Sequence, residues 1–491
     1  MSAAPGTWVR PAAVAGLFYP DDPEQLRRAV RGHLEAGAVA VAAAGRPAAG
    51  PVAAGPAPTW DVDPGGDVGP AGSEDGPGAG PDALIAPHAG YRYSGPTAGA
   101  GWAALASRPA PVSRVVLAGP AHRVPVGPPG VGVSSAGAWR TPLGDVPVDR
   151  EAAEDLVATG RAVVADEAHA PEHSLEVHLP FLAEVLPDVP VVPLLVGGRC
   201  PPRVAAEAIG QAWERDGTVV VVSSDLSHYL TEAEARRRDD RTLAAIVEGR
   251  AGDLQPEDAC GRAAIAGLVV AARRRSLAPS VLAVATSADA SGDTGRVVGY
   301  ASLAYRPPRP LEDEERSWLV ERARVAVARA VAARRPEPSV DVPPRLRLPG
   351  ASFVTLRRHG ELSGCIGSLE PARPLWHDVA RNARSAATAD PRFPPLRPRD
   401  LDGLAVKVSV LSAVEPLPAG REALLAILRP GVDGVLVEAG GRRGTFLPAV
   451  WEALPEADAF LAALLAKAGL PPAGWPADLR AWRYTTDEFG T

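Results

Sequence analysis

Three histidines in the first half of the chain each follow an apolar, β-branched run within a few residues. ALIAP (83–87) leads into His88, RVVLAG (114–119) leads through GPAHR into His122, and TVVVVSSD (218–225) ends at Asp225 just before His228. Imidazoles at strand ends are a common way to build a metal site or an acid–base site. A single one is more often a capped, half-exposed residue, but three in equivalent places reverse that balance. Pro87 and Gly90 beside His88, and Gly119 and Pro120 near His122, mark tight turns that bring backbone close to a site. Cys260 opens DACGRAAIAGLVVAA, at the expected start of an apolar helix whose N-terminus favours a thiolate. Alone it reads as a small buried residue; beside two histidines it reads as a soft third ligand.

Other residues carry weaker signals. PEHSLEVHLPFL (171–182) holds Glu172, His173, Glu176 and His178 without the spacing of a zinc-protease helix. His173 and Glu176, three apart, fit one helical face, so the segment is either a capping element or part of a site wall. Ser224, Asp225 and His228 include the residue types of a hydrolase triad, but no GxSxG elbow accompanies them. In the second half, GCIG sets Cys365 between Gly364 and Gly367, where backbone can approach closely. A nucleophilic role for Cys365 needs a base in contact, and His359 and His377 are the nearby imidazoles. Packing is the better reading of that cysteine.

The elements that must position these residues fall into two groups. A chain of 491 residues exceeds one ordinary core, which predicts two or more domains. Pro23–Leu34 reads as a helix of a domain already begun, which an Ala/Gly/Pro-rich insertion expected to be disordered interrupts from about residue 36 to 81. Strands at 83–87, 114–119, 189–197, 218–225 and 295–305 then alternate with helices at 151–159, 178–185 and 203–214. That alternation predicts an α/β domain over 1–306 with a sheet covered on both faces and functional side chains at the strand ends. A proline joint at Pro307–Pro310 precedes a helix with acids in its first turns and a stripe of Leu319, Ala323, Ala326 and Ala330. After a second joint at Pro336–Pro344, strands at 352–358, 404–412 and 434–440 and helices at 376–388 and 457–468 predict a smaller α+β domain, completing 307–491.

Composition narrows the function class. The net charge is −7, and arginines are scattered among acids, with lysine only at 407 and 467. No basic field is left to bind nucleic acid. No run approaches the ~18 uninterrupted apolar residues of a membrane span, and the start shows no signal peptide. Three widely spaced cysteines make no disulfide framework, and a cytoplasmic setting is expected.

RPAAVAGLFYPDDPEQL, APHAGYRYSG, GPAHR, EHSLEVHLPFL, SSDLSHY and CGRAAIAGL occur in the order of the Memo family, which the chain resembles over roughly 10–305. That family is similar in fold to the class III extradiol dioxygenases. The resemblance implies metal ligands at His88, His122 and Cys260, with His228 and Asp225 lining the pocket. The dioxygenases use a carboxylate where this chain has Cys260, and a thiolate shifts preference toward iron or copper. Should catalysis occur, His228 is the acid–base candidate, oriented by Asp225. A second resemblance runs from GASFVTLRRHGELSGCIGSLEPARPL (350–375) through DPRFPPL, VSVLSAVEPL, PGVDGVLV, GTFLPAVWEALP and KAGLPPAGW, and is to AMMECR-type domains over about 311–490. Where that family carries an arginine before Gly-Cys-Ile-Gly, this chain has Ser363.

Both families occur beside a radical-SAM protein, and the chain resembles a fusion of proteins A and B of the AmmeMemoRadiSam system. Its own cysteines cannot hold an iron–sulfur cluster, so the implied radical-SAM partner is a separate protein. Two readings follow. One is a metal-dependent oxidoreductase acting on a small substrate; the other is a non-catalytic metal-binding scaffold.

Overall fold

The structure, a computed structural model, describes residues 8–44, 80–332, 341–472 and 474–490. They divide into two compact units, one reaching Ala272 and resuming at Ala278–Arg309, the other formed by Arg273–Leu277 and the chain from Pro310 onward.

The first unit is built on a mixed sheet. Its strands are β1 (Ala83–Ala86), β2 (Arg114–Pro120), β3 (Val131–Val133), β4 (Val163–Val164), β5 (Val191–Val196), β6 (Thr218–Ser223), β7 (His228–Leu230), β8 (Ala278–Thr286) and β9 (Val297–Arg306). They lie in the order β7-β9-β1-β6-β2-β5-β3-β4, with β8 on β9. The neighbours β1-β6-β2-β5 run parallel, and every residue of these four strands is buried. Strands covered on both faces need continuous Val, Leu and Ile runs, which is why they stood out in the sequence. The β8 strand did not, because its burial alternates irregularly and a bulge interrupts its pairing with β9.

Helices α1 (Pro23–Ala44), α2 (Tyr91–Ala106), α3 (Leu179–Val185) and α4 (Pro202–Ala212) accompany these strands, followed by α5 (Arg262–Arg274). The insertion expected from residue 36 begins later than composition suggests, since α1 continues to Ala44. Alanine is the strongest helix former, so an Ala-rich stretch adjoining a helix extends it. Residues 45–79 of that insertion lie outside the described residues, as do 336–340 of the second proline joint.

A buried ion pair ties the first strand-like residues to the loop before α3. Arg10 and Glu176 have side chains with 0% exposure, and Nη1 stands 2.6 Å from Oε2. The guanidinium also donates to the carbonyls of His169, Ala170 and Glu172 and lies 4.2 Å from the Trp139 ring centre. Glu176 in turn accepts from the backbone N–H groups of Ala13 and Val14 and from the Tyr19 hydroxyl. Glu176 is thus fully used in tethering the N-terminal segment, rather than sharing a site-facing surface with His173.

The second unit holds two four-stranded antiparallel sheets. One contains β10 (Ser352–Arg358), β11 (Glu361–Gly367), β12 (Leu404–Leu411) and, in the last position, Thr486–Gly490, in the order β11-β10-β12-(486–490). The other is formed by Glu415–Pro416, Arg480–Tyr484, Gly434–Ala439 and Arg442–Phe446. Helix α6 (Asp313–Val331) buries Leu319 and Ala323 of the expected stripe, together with Val320 and Val327, in one core with α7 (Leu375–Thr388). Helix α8 (Ala457–Lys467) belongs to a separate core beside the second sheet. Helices and antiparallel sheets segregated in this way make an α+β unit, as expected.

Removing one partner of the Arg10–Glu176 pair leaves the other charge buried and unpaired. Arg10→Ala should lower the unfolding free energy by about 3–5 kcal/mol, read from denaturant midpoints; a loss under about 1 kcal/mol would contradict the role given to the pair. A second expectation concerns acid. Burial lowers His33 and His169 to about 4 and His178 to about 3. Unfolded histidine takes up its proton near 6.5, so stability is complete above that pH and declines as pH falls toward the folded values. Between pH 7.5 and 5 the decline should reach about 2 kcal/mol per histidine. A constant unfolding free energy over that interval would mean that these rings are charged in the folded protein.

Candidate metal centre

The loops after β1, β2 and β6 converge. His88 follows β1 by two residues, His122 follows β2 by two, and Asp225 follows β6 by two. The segment before α3 closes the same space and brings His173. One ligand atom from each of His88, His122 and His173 lies within 4.8 Å of the other two. The rings of His122 and His173 stack with centres 4.8 Å apart, while His88 stands edge-on to both.

Glu172 stands beside two of these rings. Its Oε1 lies 2.9 Å from Nδ1 of His122 and 3.1 Å from Nδ1 of His173. The backbone N–H of His122 donates to Oε2, and those of His173 and Ser174 donate to Oε1. Burial alone would raise the Glu172 carboxyl, yet hydrogen bonds from His122 and the Ser174 N–H, with the His173 ring close by, hold it well below the usual carboxylate range. The carboxylate accepts from Nδ1 of His122, which fixes that ring and leaves its Nε2 with a free lone pair, the usual support for a metal-binding histidine, whereas Nδ1 of His173 lies close without a hydrogen bond.

Donor counting sets the tautomer of His88. Ser223 Oγ donates its one proton to the Ser174 carbonyl at 2.6 Å. It must therefore accept from both rings that touch it, Nδ1 of His88 at 2.7 Å and Nε2 of His178 at 3.1 Å. His178 Nδ1 accepts from the indole N–H of Trp102 at 3.3 Å, which agrees with a proton on its Nε2. His88 thus carries its proton on Nδ1 and presents an unprotonated Nε2 to the site. Burial, followed by the neighbouring histidines, lowers its pKa well below the ordinary value and keeps the ring neutral.

Cys260 reaches the same atom. Its Sγ stands 3.3 Å from His88 Nε2, 3.6 Å from the Asp225 carbonyl and 3.8 Å from Ser224 Oγ. It lies two residues before the start of α5, and burial, then the Asp225 charge, push the thiol up to about 12. The helix N-terminus therefore does not by itself supply the stabilised thiolate expected from the sequence, and the thiol lies within reach of the unprotonated Nε2 of His88. A cation between the two atoms would replace the thiol proton.

Asp225 and His228 are held in different ways. Asp225 Oδ1 accepts from the backbone N–H groups of His88 and Ala89, holding the ligand-bearing turn, and burial raises its carboxyl pKa. The ring of His228 is oriented by the Leu226 carbonyl at 2.8 Å, not by Asp225 as expected from spacing. Ser224 Oγ donates to the Asp225 carbonyl and accepts from Gly261 N–H, so Ser224, Asp225 and His228 form no hydrolase relay. From the sequence the segment holding His173 reads only as a capping element or part of a site wall, and the place of His173 in the imidazole cluster and the role of Glu172 beside it were missed. The only sequence signal was their adjacency within a non-periodic segment.

In the second unit, Cys365 pairs across the strands with Thr355, whose hydroxyl lies 3.4 Å from Sγ. Its backbone N–H donates to Asp390, and its carbonyl accepts from Arg392. His377 packs on Trp376, and His359 sits in the β10–β11 turn at φ 52°, so neither supplies the base that a nucleophile would need. A Cβ on Gly364 would lie 2.1 Å from the Ala386 carbonyl, and one on Gly367 would lie 2.2 Å from the Phe353 ring. The glycines of this motif are required for close packing.

Among the described residues no helix is long and apolar enough to cross a membrane. The Memo-like protein family matches residues 69–304, and the AMMECR1 family matches residues 320–489. A MEMO1 family protein of Desulfurococcus amylolyticus is 33% identical over 308 residues, covering 60% of this chain and 98% of the relative. One from Methanopyrus kandleri is 35% identical over 319 residues, covering 60% and 99%. A solved structure of an uncharacterized protein from Pyrococcus horikoshii shares 35% identity, with a TM-score of 0.35, over 37% of this chain and 93% of its own. The chain belongs to the MEMO1 family through its first unit and joins to it an AMMECR1 domain.

Proposed function

We propose that the first unit is a mononuclear iron- or copper-binding redox centre acting on a small substrate. The observation that carries this reading is the convergence of His88, His122 and His173, with Cys260 Sγ 3.3 Å from the lone-pair nitrogen of His88. The donor set fits such an ion: imidazoles, of which His88 and His122 are oriented by hydrogen bonds at Nδ1, and a thiol whose proton a cation can displace. His88 and His122 are the common members of the site, and Cys260 supplies the soft ligand. A bound iron or copper would contribute electron transfer or polarisation of a substrate oxygen.

The chain's own residues supply the rest. Glu172 and Ser223 hold His122 and His88 in their ligating tautomers. Asp225 holds the turn that carries His88, and His228, its ring held by the Leu226 carbonyl, is the acid–base candidate in this reading. The His122 side chain is 28% exposed and that of His173 13%, which gives a substrate access from their side. The Memo resemblance adds a dioxygenase-like fold and a separate radical-SAM protein as partner. It supports a role in a partner-dependent redox reaction.

One observation favours the scaffold reading. Three imidazoles and one thiolate would close a tetrahedral ion with protein donors alone, as structural sites do. The two readings separate at His173, which is a ligand in a closed site and a wall residue in an open one.

Anaerobic purification and elemental analysis of wild type, His88→Ala, His122→Ala, Cys260→Ala and His173→Ala test both. Loss of metal in the His88, His122 and Cys260 variants, with retention in His173→Ala, is the expected result. Cobalt-loaded wild type should show an intense near-ultraviolet thiolate charge-transfer band that Cys260→Ser abolishes. Full metal content in the first three variants would remove the site; loss in His173→Ala as well would favour the closed, non-catalytic centre. Absence of ring cleavage by the iron-loaded protein across a panel of catechols would remove dioxygenase activity while leaving the metal site intact.

A further inference from the structure

Between the two sheets of the second unit lies a cavity of about 610 Å³, within the range of sites for small ligands. Cationic side chains enter it from separate elements. Arg373 and Arg381 come from the start and middle of the α7 region, Arg443 from the strand 442–446, and Lys467 from the end of α8. Glu370 is the one acid among its lining residues, so four positive charges face one negative, a local excess of three in a chain whose net charge is −7.

These cations differ in how they are held. Arg373 Nη1 lies 2.6 Å from Asp378, a carboxylate with no exposure, which fixes the guanidinium at the cavity edge. Asp378 is itself saturated by Ser352, Ser368 and Asn382, so it acts as a support. Arg443 reaches only the exposed Glu370 at 2.7 Å, a pair of the kind worth little in water. Lys467 gives one bond, to the Thr445 carbonyl, and burial lowers its pKa. Arg381 is exposed and, among the described residues, has neither hydrogen bond nor ion pair. Ser368 and Thr445 add hydroxyls, and Phe353 and Leu369 add apolar wall.

We infer that this cavity binds a phosphorylated small molecule of about nucleotide size, its phosphate oxygens shared by Arg381, Arg443 and Lys467 and its apolar portion lying against Phe353 and Leu369. Convergent cations from separate elements suit a dianion with several acceptor oxygens, and guanidinium groups bind such oxygens in pairs. A monocarboxylate would leave most of these donors unused. The position that Ser363 occupies plays no part, because the cations come from other segments. This inference is independent of the metal reading of the first unit.

The test is titration calorimetry on the full chain, freed of metal by chelation and dialysis, with inorganic pyrophosphate as the probe and succinate as a dicarboxylate of comparable charge. Saturable pyrophosphate binding is expected, weakened roughly tenfold or more by Arg381→Ala and by Lys467→Ala, the scale of one charge-assisted contact. Arg384→Ala, exposed on the same helix but outside the cavity, should bind as wild type does. No saturable binding at low ionic strength would overturn the inference. So would equal weakening by Arg384→Ala, which would indicate general charge attraction, or equal affinity for succinate, which would remove the preference for phosphate.

Discussion

The candidate metal centre depends on a charge pair that does not touch it. Arg10 and Glu176 meet without exposure to water, and between them they fix the carbonyls of residues 169, 170 and 172, the backbone of 13–14 and the hydroxyl of Tyr19. The segment so pinned contains Glu172, and Glu172 lies against two of the three imidazoles. The irregular stretch between residues 170 and 175 thereby gains the rigidity that parallel strands give to His88 and His122. Buried ions are costly unless every donor and acceptor is matched. Here the guanidinium and carboxylate are matched many times over, which makes the arrangement of the loop singular.

How much of this could be read beforehand follows from which forces leave a local trace. The four buried parallel strands were legible because burial on both faces demands unbroken β-branched runs, and His88, His122 and Asp225 were legible as their sequels. The stripe containing Leu319 and Ala323 was legible through helical spacing. His173 was not, because its place depends on a carboxylate neighbour that also binds residue 122, fifty positions away. Arg10 left no trace in a chain rich in arginine. The extension of α1 to Ala44 was hidden because alanine supports a helix and a low-complexity segment alike.

The second unit shows the opposite balance. Its Gly-Cys-Ile-Gly motif drew attention as chemistry, but the glycines admit a helix carbonyl and an aromatic ring, and the thiol faces a threonine. The cationic cavity beside it had no sequence signature. Arg373, Arg381, Arg443 and Lys467 are distributed over almost a hundred residues and meet only through the packing of the two sheets. Motif density and ligand-binding capacity are therefore separable in this domain: the former marks where backbone crowds, the latter where charge accumulates.

The hydrogen bonds from Trp102 through His178 and Ser223 to His88 have one more consequence. An indole nitrogen can only donate, and the Ser174 carbonyl can only accept, so both boundaries of the network are of fixed sign. Every proton between them is thereby assigned, as the poles of magnets in a row are assigned by the end ones. Reversing the His88 ring would require the Ser223 hydroxyl to leave the Ser174 carbonyl and donate to Nδ1 instead. The electron pair offered by His88 is thus dictated from the loop before α3, by one backbone oxygen, while Trp102 on helix α2 assigns the proton of the neighbouring His178.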